Sequence, residues 1–144
     1  MTYSPWTDAG ERHPDIDIRR TRCRPLRGAW VPEERMVIID ESLLRADRNS
    51  TLAHEIAHID LGHRPSGIPW LDRRQENDAD ALAARRLIAI EDLAGMLCWA
   101  LGPDELADEL GVTQRMVLVR VKGLTPEERQ IIDAQVESVD WGAA

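Results

Sequence analysis

Three residues with the types and spacing of a metal site lie in the run His54-Glu55-Ile56-Ala57-His58, which has the HExxH pattern. On a helix this pattern is typical of zinc metallopeptidases. Helical residues advance by about 100° each, so His54 and His58 share a face one turn apart and can reach one ion. Zinc lowers the pKa of water towards about 7, and a carboxylate placed like Glu55 can then take its proton. The motif therefore predicts a zinc site with Glu55 as general base.

The segment around this motif is expected to be a largely buried helix. Leu52, Ile56 and Ile59 recur with helical spacing and form one apolar stripe. We expect residues 49–50 to cap the start of the helix and Gly62 to end it. The alternative is a core helix whose histidines are simply hydrogen-bonded. Because a buried cluster of polar groups is costly without partners, the metal site is the favoured interpretation.

A catalytic zinc ion usually has three protein ligands and one open position, so a third ligand must come from elsewhere in the chain. His63 follows His58 by five residues, one short of the metzincin spacing, and a loop histidine is the plainer interpretation. Glu76 and Asp80 share a helix face, so Glu76 can ligate and Asp80 can accept the Nδ1 hydrogen of a ligand histidine. Asp78 is the spare carboxylate if the helix is rotated, and a solvated acidic face is the remaining alternative.

The composition fits one domain of 144 residues, of which 43% are hydrophobic. No apolar run approaches the 18 or so residues of a membrane span, and the first residues lack a signal-peptide pattern. Cys23 and Cys98 stand far apart in no metal-binding spacing, which is typical of reduced thiols and predicts a cytoplasmic protein. The net charge is −8, and the acidic excess falls in residues 49–144, which argues against nonspecific nucleic-acid binding there.

The first third of the chain predicts a small sheet. Residues 1–14 show little periodicity and are expected to form an irregular arm. Residues 16–21, 28–31 and 36–39 are strand-like, and the last segment is almost continuously apolar and therefore central. Tight turns between them predict an antiparallel three-stranded meander. One edge of such a sheet could pair with an extended substrate segment.

The rest of the chain is predicted to be helical, which gives an α+β fold. After the motif helix, a second helix is expected to begin at Asp72 as N-cap, with Gln75 completing a capping box. Further helices are expected at about residues 91–101, 104–110, 113–122 and from 125 onwards. We place a core domain at residues 15–103 and a C-terminal helical extension, packed on that core, at residues 104–144.

Residues 106–115 resemble the first helix and turn of a helix-turn-helix. DNA binding would need basic residues on the outer face of the helix at 113–122, where Arg115, Arg120 and Lys122 are available. The rest of that helix is apolar and the surrounding charge is acidic. Packing against the core is therefore the favoured interpretation of this helix pair.

The HExxH motif is followed by a second stretch, Glu-Asn-Asp-Ala-Asp-Ala-Leu-Ala-Ala at residues 76–84. Together the two resemble the ImmA/IrrE family of metallopeptidases, over about residues 25–122. That family has HExxH followed by a Glu-x-x-Ala-Asp/Asn-x-Phe-Ala stretch. This sequence has Leu82 in place of the usual phenylalanine, which changes packing and leaves the ligand set intact.

The resemblance implies a zincin-like helical core with a Zn²⁺ ion bound by His54, His58 and Glu76, and with Glu55 as base. It also implies a cytosolic enzyme that is prokaryotic or phage-encoded. Several members of the family cleave a helix-turn-helix repressor in stress or mobile-element regulation. We therefore expect a zinc endopeptidase with a protein partner of that kind and with no membrane or nucleic-acid partner. The alternative is a zinc-binding regulatory, DNA-binding or partner-binding protein without proteolytic activity. Oxyanion stabilisation is left open among four residues: Tyr3, His63, Arg73 and Arg74.

Overall fold

The structure, a computed structural model, describes residues 3–99 and 102–139. Those residues form an α+β fold, as the sequence predicts. The strands are β1 (Asp17–Thr21), β2 (Gly28–Val31) and β3 (Met36–Asp40), and a short 3-10 helix (Pro32–Glu34) joins β2 to β3. The helices are α1 (Pro5–Arg12), α2 (Arg45–Asp60), α3 (Pro69–Leu87), α4 (Ile90–Leu97), α5 (Pro103–Leu110), α6 (Gln114–Lys122) and α7 (Pro126–Ser138).

The sheet has the order β1-β3-β2, so the predicted antiparallel meander is wrong. Strand β2 pairs antiparallel with β3, but β1 pairs parallel with it on the other side. The central position of β3 is confirmed, and its apolar side chains explain it, because Val37 and Ile39 have no exposed surface. A strand buried to this extent is best flanked by a neighbour on each side. Helix α2 packs against both β3 and β2, and β2 is an edge strand of the sheet.

Helix α2 lies between two hydrophobic clusters and supplies side chains to both. Leu52 and Ile56 pack with the sheet and α1, whereas Ala53 and Ala57 pack with helices α3 to α6. Two different faces of α2 therefore pack into two parts of the core. Within the described residues, no helix is both long and apolar enough to cross a lipid bilayer.

Helix α2 begins four residues before the predicted cap, with Leu44 as N-cap. The predicted caps at residues 49–50 are wrong, and Ser50 instead lies buried inside the helix, where its Oγ accepts from the backbone N–H of Thr113. The predicted capping box at Asp72 is also wrong, because α3 begins at Pro69 and Asp72 accepts from Ser66 in the preceding loop. Pro69 marks the start of α3, because proline is favoured at the first position of a helix.

The first residues form a helix rather than the predicted irregular arm. The side chain of Ser4 caps α1, and Pro5 occupies its first turn. The indole N–H of Trp6 donates to Asn49 of α2 over 3.1 Å. Arg12 and His13 both contact Asp60 at the other end of α2. Helix α1 and the residue after it therefore contact α2 at two separate points, Asn49 and Asp60.

The C-terminal helices follow the predicted pattern more closely. Thr113 caps α6, and Thr125 forms a complete capping box with Glu128 at the start of α7. Helix α4 ends at Leu97 with Cys98 as C-cap, so the predicted end at about residue 101 is wrong, although residues 100–101 themselves lie outside the described residues. Residues 140–144 of the predicted C-terminal extension also lie outside the described residues.

Candidate metal centre

Three side chains from α2 and α3 converge on one point. The Nε2 atoms of His54 and His58 lie 3.0 Å apart, and each lies within 3.0 Å of a carboxylate oxygen of Glu76. His54 and His58 come from successive turns of α2, and Glu76 comes from the neighbouring helix α3. Among the described residues, these three form a group whose donor atoms could hold a metal ion.

The separations between the donor atoms suit a small tetrahedral cation. Zinc bonded to nitrogen and oxygen at about 2.0–2.1 Å places neighbouring ligand atoms about 3.3 Å apart. The pairs in this site are 2.9–3.0 Å apart, so small outward movements of Glu76 and of the two histidine rings would accommodate the ion. The Glu76 side chain is 59% exposed and has room to make that movement. Two imidazoles and one carboxylate also match the ligand types that zinc prefers.

Behind the three donors, Asp80 contacts the outer nitrogen of His54. Its Oδ1 lies 2.8 Å from His54 Nδ1, and its Oδ2 pairs with the guanidinium of Arg115 on α6. An imidazole that donates from Nδ1 presents a lone pair at Nε2, the atom that faces His58 and Glu76. The Asp80 carboxylate is buried, and both of its oxygens have a partner.

The charges around the site favour a positive charge at its centre. Although burial disfavours the charged ring of His54, its hydrogen bonds with Asp80 and Glu76 raise the pKa of His54 to about 10. Hydrogen bonds from His54 and His58 hold the pKa of Glu76 far below its ordinary value. A proton or a metal ion at the centre would meet the same electrostatic demand.

Glu55 lies beside the donors on α2 and is only 7% exposed. Its carboxylate lies against the backbone N–H of Trp30 on β2. Burial raises the pKa of Glu55, against the opposing effect of the nearby histidines. A raised carboxylate pKa moves the group towards the range in which it can both take and return a proton near neutral pH.

The other candidate ligands from the sequence lie outside the three-residue group. Asp78 is exposed on α3 and takes no part in it. His63 contacts His58, but through Nδ1 of both rings, 2.9 Å apart. Burial, with the nearby His58, lowers the pKa of His63.

Two cavities of about 320 and 380 Å³ meet at Gly28, Glu55 and Glu76. One extends past Thr113 and Arg115 of the α5–α6 region, and the other extends past Trp30 and His63. Together they form a groove that crosses the metal centre beside the edge strand β2. A groove open on both sides of the donors suits an extended chain rather than a compact small molecule.

Of the four residues left open for oxyanion stabilisation, only His63 lines this groove. Tyr3 donates its hydroxyl to Asp8 on α1, away from the site. Arg73 and Arg74 are exposed on α3. Gly28 and Arg115 are among the groove-lining residues to which the sequence assigned no role there. A glycine at the start of a short strand was the available signal for Gly28, because a strand glycine often marks a close backbone approach.

The two histidines of the HExxH motif and Glu76 thus converge from two neighbouring helices beside an edge of the sheet. A family model described as Peptidase_M78, the IrrE N-terminal-like domain, matches residues 12–122. The chain therefore belongs to this family of ImmA/IrrE-type metallopeptidases. A search of curated proteins found no matching relative.

Proposed function

We propose that this protein is a zinc-dependent endopeptidase that cuts a protein substrate at a defined peptide bond. The observation that carries the proposal is the buried carboxylate of Glu55 next to three converging donor atoms. His54, His58 and Glu76 would hold Zn²⁺, which would polarise the scissile carbonyl and lower the pKa of water. The family assignment supports the same activity.

The residues of the chain would move the proton in this reaction. Glu55 takes a proton from water as the oxygen bonds to the scissile carbonyl carbon. The same carboxyl then gives that proton to the nitrogen as the C–N bond breaks, so that a free amine leaves. Burial of Glu55, which is 7% exposed, suits both halves of the transfer because it raises the pKa of the carboxyl.

Asp80 would orient the first ligand during this reaction. Its contact with His54 Nδ1, at 2.8 Å, fixes which nitrogen carries the hydrogen and keeps Nε2 free to ligate. Arg115 holds the other oxygen of the same carboxylate. A ligand ring restrained in this way keeps the donor set assembled while substrate enters and leaves.

The groove supports an extended substrate segment. Strand β2 is an edge of the sheet and borders both cavities through Gly28. Main-chain pairing with such an edge gives affinity without much side-chain selection, so specificity must come from the rest of the partner. We propose a helix-turn-helix repressor as that partner, in stress response or mobile-element regulation in the cytoplasm, on the strength of the family resemblance.

DNA binding by α6 is the less favoured function. Of its three basic residues, Arg120 is buried and Arg115 pairs with Asp80. The exposed face also carries Leu118, which is 57% exposed. An apolar side chain at the centre of that face does not suit a phosphate backbone.

The test incubates zinc-loaded protein with helix-turn-helix repressors, chosen first from any that the neighbouring genes encode, and with unfolded casein, and maps cuts by mass spectrometry. Wild type is expected to cut the repressor at one bond, and Glu55→Gln, which retains the metal ligands, is expected to lose the activity. Equal cleavage by the Gln variant would exclude Glu55 as the base. Ready cleavage of casein with the repressor left intact would refute the substrate class and leave the metallopeptidase activity standing.

A further inference from the structure

His63 lies against the outer edge of the ligand His58. Their Nδ1 atoms are 2.9 Å apart, and the ring planes meet at 64°. The two nitrogens of an imidazole point away from each other, and Nε2 of His58 faces His54 and Glu76. His63 therefore contacts the side of His58 that is turned away from the donor cluster. This position excludes His63 as a further ligand of the ion held by that cluster.

The chain folds back to reach this position through the end of α2. Gly62 has φ of +68°, the left-handed conformation that glycine adopts without strain. The backbone N–H of the next residue, His63, donates to the carbonyl of His58 over 3.0 Å. This bond between residues five apart closes the helix end and returns the ring of His63 onto the ring of His58. The spacing of five residues is thus a product of the helix terminus.

The hydrogen placement follows from the ligand role of His58. A neutral imidazole carries one N–H, and a metal at Nε2 places that hydrogen on Nδ1. Two nitrogens 2.9 Å apart share one hydrogen, so Nδ1 of His63 must accept it. A neutral His63 then carries its own hydrogen on Nε2.

We propose that His63 is the positioning residue of His58, fixing its ring and its tautomer as Asp80 does for His54. The inference rests on the proposed metal site. Each of the two ligand histidines then has its own acceptor behind it, an aspartate on α3 for one and a histidine from the α2 terminus for the other. Loss of such an acceptor typically weakens metal binding by roughly ten- to hundredfold.

The first test measures zinc affinity by competition with a chelator for wild type, His63→Ala, His63→Asn and Arg64→Ala. The amide oxygen of asparagine can take the place of Nδ1 as acceptor, so His63→Asn should bind zinc within a few fold of wild type. His63→Ala should bind roughly ten- to hundredfold more weakly. Arg64→Ala, one residue further in the same exposed loop, should match wild type. Thermal melts of the metal-free proteins check that the variants fold alike.

The second test reads the tautomers directly in zinc-loaded wild type by nitrogen-15 NMR, where four histidines must be assigned. The expected spectrum has hydrogen on Nδ1 of His58 and on Nε2 of His63. Hydrogen on Nδ1 of His63, or equal zinc affinity in wild type and His63→Ala, would overturn the positioning role. Failure of wild type itself to bind zinc would overturn the metal site and this inference with it.

Discussion

Gly28 of β2 lies against Thr51 of α2 so closely that a Cβ on Gly28 would come within 2.7 Å of Thr51 Cγ2. The same added carbon would lie 2.8 Å from the carbonyl oxygen of Ile38. Both distances are shorter than a carbon contact allows, so only glycine permits this approach. The closeness matters for the site, because Glu55 lies one turn further along α2 against the backbone of Trp30.

Gly28→Ala is therefore expected to push β2 away from α2 and to separate Trp30 from Glu55. Overpacking of this kind costs about 1–3 kcal/mol, which urea unfolding would measure. Cleavage activity should fall further than the loss of folded protein explains. Gly95→Ala is the matched control, because nothing lies within 4 Å of its added carbon and it lies inside a helix. That variant should be as stable as wild type or more so; equal behaviour of the two variants would refute the close-approach argument.

Asp80→Asn should weaken zinc binding by roughly ten- to hundredfold, because the uncharged amide orients and polarises His54 less well. Isothermal titration with zinc in the presence of a competing chelator would measure the change. The control is Arg115→Gln, which removes the other partner of the same carboxylate. Arg115 has a side chain that is 66% exposed, so its loss should alter zinc affinity less. A larger loss of zinc affinity in Arg115→Gln than in Asp80→Asn would contradict the claim that Asp80 orients His54.

The ion pair of Glu128 with Arg120 is expected to make the free energy of unfolding depend on pH. Hydrogen bonds from the buried Arg120 lower the pKa of Glu128 to about 2 from an ordinary value of 4.5. A group with a lowered folded-state pKa stabilises the fold above its unfolded pKa, and that stabilisation is lost as pH falls towards the folded value. Denaturant unfolding of wild type and Glu128→Gln should differ at pH 7, and the difference should shrink between about pH 4.5 and 2.

The Gln variant isolates the charge, since glutamine can also complete the capping box with Thr125. Arg120 also donates to the carbonyl of Ile88 over 2.8 Å, so it stays buried after the exchange. Leaving a buried charge without its partner costs roughly 3 kcal/mol at neutral pH. A difference that stays constant from pH 7 to pH 2 would show that the ion pair does not stabilise the fold.

The ligand-bearing helices could be foreseen because local periodicity determines which residues share a face. The i, i+4 spacing placed His54 with His58 and Glu76 with Asp80, and the structure brings all four together. The capping box at Thr125 is equally local, since its partners are three residues apart. Such features need no knowledge of the rest of the fold.

The sheet direction and the outer contacts of the site could not be foreseen, because they depend on residues distant in the sequence. Nothing local to β1 determines whether it pairs parallel or antiparallel with β3. Arg115 meets Asp80 across 35 positions of the chain. His63 was within reach of a local argument, since the left-handed glycine before it returns the chain onto α2.

The central claim is that His54, His58 and Glu76 hold one zinc ion beside Glu55. Its most direct test is the zinc content per chain, measured by mass spectrometry after zinc loading and removal of loose metal. Wild type and Glu55→Gln are each expected to retain one equivalent, and Glu76→Ala is expected to retain far less. A Glu76→Ala variant that keeps a full equivalent, or a wild type that keeps well under half of one, would contradict the account.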